Sequence, residues 1–132
     1  VTLAIRDPAT TRLDQEGVRL AALLESARAE SRASGVAVRW RPTRSSDERG
    51  AGETADFRFV GLPSRLGLPT RWLDRETSAE IAGGAAVTLG PEPIIGAQRI
   101  TLRLGHRRLE LATDGFGPFG VVESGTAVAA RP

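Results

Sequence analysis

Residues 12–35 read RLDQEGVRLAALLESARAESRASG, and the spacing of their apolar members decides the architecture. Leu13, Gly17, Leu20, Leu24 and Ala27 recur at intervals of four, three, four and three, the period that gathers side chains on one face of an α-helix. Asp14, Glu16, Arg19, Glu25, Arg28 and Arg32 mostly fall elsewhere, so the segment predicts an amphipathic helix that packs one stripe and turns its charges to water. Two starts are open. Pro8 after Asp7 lacks an amide the first turn cannot satisfy, and Thr11 precedes Asp14 by three residues. Gly35 can take the left-handed conformation that stops a helix, which places the element over about residues 9–35. Glu16 with Arg19, and Glu25 with Arg28, stand at helix-neighbour spacing, worth roughly 0.3 kcal/mol a pair on a wet surface. Gly17 either permits a close approach or simply costs about 1 kcal/mol relative to Ala.

Beyond Gly35 the period falls to two. Val36, Val38 and Trp40 alternate with Ala37, Arg39 and Arg41, a half-buried strand that Pro42 ends. Arg44 to Glu53 is polar and reads as a mobile loop, Phe57 and Phe59 flank Arg58 in a second strand, and Gly61 to Pro69 is a leucine-bearing loop with two prolines. Trp72 and Leu73 anchor a short segment, Thr77 to Ile81 suggests one turn of helix, and Ala85 to Leu89 a strand before a Gly-Pro-Glu-Pro break. Ile100, Leu102 and Leu104 then alternate inward, Gly105 and His106 form a two-residue turn, and Leu109 and Leu111 return along the partner strand. Asp114 and Gly115 turn the chain again, leaving Val121, Val122 and Ala127 to Ala129 for one or two closing strands. The expectation is one α+β domain over residues 1–132, an N-terminal amphipathic helix packed on two antiparallel sheets, with the β region spanning about 36–131.

Composition narrows the possibilities less than the pI suggests. Eighteen arginines stand with no Lys, Cys, Met, Tyr or Asn, a pattern that GC-rich coding explains without selection for guanidinium chemistry. The pI of 10.8 reads as a nucleic-acid signature, but the net charge is only +2, and almost nothing titrates between neutrality and the arginine range. The lack of Cys excludes disulfides and thiolate metal sites. No segment reads as a signal peptide or membrane span.

The phrase RLAALLESARAESRASGVAVRW at residues 19–40 and the late hairpin ITLRLGHRRLELATDGFGPFGVV at 100–122, taken in this order, resemble the soluble part of an H-type minor pseudopilin of the type II secretion system. The resemblance covers most of the chain. It implies a pilin-like fold and an assembly protein rather than an enzyme: a subunit near the tip of an inner-membrane pseudopilus that helps export folded proteins across the outer membrane. The helix would then be the exposed half of a longer N-terminal helix, with Val1 to Ile5 just beyond a membrane-embedded segment. The domain would lie in the periplasm. Implied partners are other minor pseudopilins, especially the J-type subunit, and the major pseudopilin, with secreted cargo as a further contact. A neighbouring branch of the fold suggests the alternative, a type IV minor pilin that binds DNA for uptake, generally through basic residues near the C-terminus. Here SGTAVAARP holds only Arg131, so no nucleic acid is expected.

Enzymatic readings find little support. Gly115, Gly117 and Gly120 spell G-x-G-x-x-G, but Pro118 removes an amide and no helix is expected after it to meet a phosphate. His106 stands alone without Cys or a carboxylate cluster. Glu76 and Glu80 would share a helical face and suit a calcium site only with further oxygen ligands. Arg39, Arg41 and Arg44, or Arg107 with Arg108, could hold phosphate, though their spacing also describes the wet face of a strand. No catalytic residue, cofactor or metal is expected, and an unrelated α+β enzyme domain is the remaining class. Two candidate contact surfaces follow: Trp72, Phe116 and Phe119, in or beside loops, with Trp72 better suited to the core and the two Phe equally suited to core or interface, and the helix edge of Arg19, Glu25, Arg28 and Arg32.

Overall fold

The computed structural model describes residues 8–43 and 55–126. Its helix, α1, spans Pro8–Ser34, with Pro8 at its first position, where a missing amide is harmless. The predicted stripe is buried throughout: Leu13, Gly17, Leu20, Leu24 and Ala27, continued by Ser31. The helix ends where the Gly35 N–H donates to the Ser31 carbonyl at 2.8 Å and the Ser31 hydroxyl turns to the Val36 carbonyl at 2.6 Å.

Seven strands follow: β1 Val38–Pro42, β2 Phe57–Val60, β3 Ser78–Ile81, β4 Val87–Gly90, β5 Gln98–Leu104, β6 Arg107–Thr113 and β7 Gly120–Thr126, with a short 3-10 turn at Ser64–Leu66. They form two antiparallel sheets, one ordered β2-β1-β4 and the other β3-β5-β6-β7. The α+β class with one N-terminal helix and two antiparallel sheets is therefore observed. The predicted hairpin is β5 and β6, in register from Gln98 opposite Thr113 to Leu104 opposite Arg107, with Gly105 at φ 63° in the turn.

One element differs in kind. Thr77 to Ile81 is not a helical turn; Ser78–Ile81 is an edge strand paired with β5, Ser78 opposite Arg103 and Ile81 opposite Ile100. Five residues cannot meet the cost of nucleating a helix, whereas pairing on β5 satisfies the backbone at once. Thr77, Ala79 and Ile81 turn inward while Ser78 and Glu80 are exposed, a period of two. The expectations for Arg44 to Glu53, Ala127 to Ala129, Arg131 and Val1 to Ile5 lie outside the described residues.

The core lies where both sheets meet the helix. From α1 come Leu13, Leu20, Leu24 and Ala27; the smaller sheet gives Val38, Trp40, Phe57, Val87 and Leu89; the larger gives Ile100, Leu102, Leu104, Leu109 and Leu111. Trp72 joins Trp40 and Phe57 in an aromatic cluster, its ring 4.6 Å from that of Phe57 and 6.3 Å from that of Trp40. At Gly17 the helix packs tightly on the larger sheet. A Cβ there would meet Leu109 Cδ2 at 2.8 Å and Val121 Cγ2 at 3.2 Å, so the close-approach reading of this glycine is the one observed.

Candidate functional site

Two charged pairs on α1 shape its surroundings. Glu16 and Arg19 form one, Glu25 and Arg28 the other, nine residues further on. Nine residues are about two and a half helical turns, so the pairs lie on opposite flanks of the buried stripe. Both flanks are covered by loops.

On the first flank Glu16 is buried, although acidic residues rarely are without partners. Its carboxylate meets Arg19 Nη1 at 2.6 Å and accepts the Leu73 N–H at 2.6 Å, while Arg19 Nη2 donates to the Arg71 carbonyl at 2.9 Å. Arg12 Nε reaches Asp74 at 3.0 Å, and the Trp72 N–H donates to Asp56 Oδ2 at 2.8 Å. These contacts hold residues 71–74 against the helix and seat Trp72 in the core.

On the second flank Arg28 is only 2% exposed. Its Nη1 donates to the Gly117 carbonyl at 2.8 Å, and its Nη2 to the carbonyls of Pro93 and Gly115, each at 3.1 Å. One planar guanidinium thus joins two loops, a geometry a point-charge ammonium cannot reproduce. Glu25 lies 3.7 Å from Arg28 Nη1 and accepts the Phe119 N–H at 3.0 Å.

The loop following β6 also organises itself. Asp114 Oδ1 accepts the N–H groups of Phe116 and Gly117, both at 2.9 Å. The Thr113 hydroxyl accepts the Gly115 N–H at 2.9 Å and donates to the Gly117 carbonyl at 2.7 Å. Gly115, at φ 97°, lets the loop touch its neighbour: a Cβ there would lie 2.7 Å from the Gly96 carbonyl carbon, and the Ile95 N–H donates to the Gly115 carbonyl at 3.1 Å. The Gly117 and Phe116 amides hold the Asp114 carboxyl below the ordinary carboxylate range, with the charge of Arg28 a smaller contribution.

At the tip of this braced loop Phe116 is 71% exposed, with Ile94 exposed on the neighbouring loop. A phenyl ring held out by a rigid backbone loses little freedom when a partner covers it, the property expected of an interface anchor.

The predicted contact residues therefore separate. Along the helix edge Arg28 is buried, Arg19 and Glu25 are half-buried beneath loops, and Arg32 alone of the four is exposed. Trp72 and Phe119 belong to the core, whereas Phe116 faces water. Glu25, Arg28, Phe116 and Phe119 meet at the second flank, and Arg19 meets the Trp72 segment at the first. Glu16, Thr113 and Asp114 were not among the predicted contacts. The repeated Glu-x-x-Arg at 16–19 and 25–28 was the available signal, but its spacing does not distinguish an inward pair from a solvated one.

The other motifs also find their places. The G-x-G-x-x-G run ends at Gly120, the first residue of β7, and its Gly115 and Gly117 carbonyls accept from Arg28. His106 is exposed in the β5–β6 turn, and Glu80, now in β3, lies 3.7 Å from Arg103. Comparison of the chain with protein-family models, with curated proteins and with solved structures finds no match. Among the described residues no helix is long and apolar enough to cross a membrane.

Proposed function

We propose that this chain is the globular part of a minor pseudopilin with a pilin-like fold, acting by protein contact at the tip of a type II secretion pseudopilus rather than by catalysis. The observation that carries the reading is the loop at 114–119, braced by Arg28 and Asp114 so that Phe116 stands in water. A long helix backing two antiparallel sheets, together with the helix and hairpin phrases, supports the pilin-like assignment. In this reading the Phe116 loop meets another minor pseudopilin, the J-type subunit first among the candidates, and the domain lies in the periplasm on a membrane anchor.

Mass spectrometry of the native N-terminus tests the assignment. The expected result is a processed, N-methylated residue followed by about twenty apolar residues that lead into residue 1, the length a bilayer requires. A mature native protein that starts near Val1 overturns it.

A further inference from the structure

We propose that the Asp114-Gly115 bond is a site of aspartate isomerisation that the braced loop holds in check, so that conversion proceeds only through loop opening and then keeps the loop from closing again. The inference is independent of the pseudopilin reading and rests on the hydrogen bonds of this loop.

Asp114 is the one aspartate of the chain followed by glycine, and the chain has no asparagine. A glycine on the C-terminal side puts no side chain in the way of ring closure and leaves the backbone free to fold back on the carboxyl group. In the first step the Gly115 nitrogen bonds to Asp114 Cγ; the amide proton and the carboxyl hydroxyl leave as water, and a cyclic imide remains. In the second, water adds to an imide carbonyl. Addition at the original main-chain carbonyl breaks its bond to the Gly115 nitrogen, so the chain now runs through Cβ and the α-carboxylate is free. The water lost is regained, and the product has the mass of the parent with one more carbon in its main chain.

Both reacting groups are engaged in the folded loop. The Gly115 N–H, which must give up its proton for the nitrogen to attack, is buried and donates to the Thr113 hydroxyl at 2.9 Å. That hydroxyl is fixed in turn by donating to the Gly117 carbonyl at 2.7 Å. The Asp114 carboxylate accepts the Gly117 and Phe116 amides, each at 2.9 Å, and these bonds favour its charged form, which has no hydroxyl to lose. Ring closure therefore waits on a local opening, whose equilibrium sets the rate.

Conversion also destroys the seat into which the loop closes. Gly115 packs so tightly on Gly96 that a Cβ would lie 2.7 Å from the Gly96 carbonyl carbon, and the Gly115 carbonyl accepts from Arg28 Nη2 and from the Ile95 N–H, each at 3.1 Å. A main chain lengthened by one carbon cannot keep both this seat and the Asp114 bonds to Phe116 and Gly117. The isomerised loop stays open, and Phe116 loses its rigid support.

The test follows isoaspartate at position 114 by electron-transfer mass spectrometry in the folded 132-residue chain and in a synthetic peptide of residues 109–131, the fragment that trypsin releases, both held at neutral pH and physiological temperature. The peptide is expected to convert steadily and the folded chain at least about 30-fold more slowly, with the peptide's rate recovered when the chain is unfolded in urea. Thr113→Val keeps the shape of the side chain, removes the hydroxyl and should speed conversion of the folded chain about tenfold. Arg28→Lys loosens the loop without altering either reacting group and should speed it as well. Converted chains, separated by reversed-phase chromatography and refolded, should exchange the Phe116 and Gly117 amides faster than the parent. A folded chain that converts as fast as the peptide overturns the proposal. So does a peptide that does not convert, a folded rate that neither variant changes, or converted chains that keep both amides slow.

Discussion

Arg28 is a cation withdrawn from water whose hydrogen bonds go to neutral carbonyls, with its nearest carboxylate, that of Glu25, at 3.7 Å. Such a group is retained only where several good acceptors offset its desolvation. Arg28→Ala leaves the carbonyls of Pro93, Gly115 and Gly117 unpaired beneath the loops, and the expected cost is about 3 kcal/mol, read from urea unfolding. Arg28→Lys recovers less than half of this, because one ammonium cannot span both loops. A loss below about 1 kcal/mol for the alanine variant means that the loops hold without the clamp. Phe116 predicts the opposite separation of effects. Phe116→Ala removes an exposed ring and changes stability by less than about 0.5 kcal/mol, while under the function proposed above capture of a J-type pseudopilin falls about tenfold. Unchanged capture removes Phe116 from the proposed interface. The sequence distinguishes these two residues poorly. An arginine on a helix flank suggests the reverse of the burial observed, and a phenylalanine in a glycine-rich turn fits core and surface equally, because burial here depends on where distant loops land.

At the scale of elements, the loop at 114–117 depends on one exposed carboxylate. Asp114 in the folded chain titrates below its ordinary value because its charged form accepts two amides. The stabilisation is therefore present in full above the unfolded value of about 3.9 and is lost as pH falls through the lower folded value. Amide exchange at Phe116 and Gly117, corrected for intrinsic rates, should stay slow at neutral pH and accelerate only in that acid window. Asp114→Asn keeps an acceptor oxygen and should abolish the acid dependence, whereas Asp114→Ala should speed exchange at every pH. Identical profiles for the parent and the asparagine variant would assign the acid effect to another group. The Asp-Gly pair marked this turn in the sequence, and the Gly105-His106 turn was as plain, since both are local chemistry. β3 was not plain. Five residues flanked by Glu76 and Ala82 suit a helical turn as readily as a strand, and only the edge of β5, some twenty residues later, decides between them.

At the scale of the molecule, α1 is the element both sheets share. It packs on β1 and β4 of the smaller sheet and on β5, β6 and β7 of the larger, while direct sheet-to-sheet contact is made mainly through β1 and β3. The helix was the most legible part of the chain because Leu13 to Ala27 repeat one spacing, whereas the division of seven short strands between two sheets depends on long-range pairing that no local pattern encodes. A shared helix predicts that the sheets cannot unfold separately. Trp40 and Trp72 both lie in the aromatic cluster on the smaller-sheet side, so their fluorescence reports that side, while far-ultraviolet circular dichroism reports the helix and, by strand length, chiefly the larger sheet. Leu24→Ala, at a fully buried position in the shared helix, should cost about 3 kcal/mol. Both signals should move together to the lower urea midpoint, and they should already coincide in the parent chain. Tryptophan fluorescence that kept its midpoint while dichroism shifted would show that the smaller sheet stands without the helix, and the helix would then be one sheet's partner rather than the support of both.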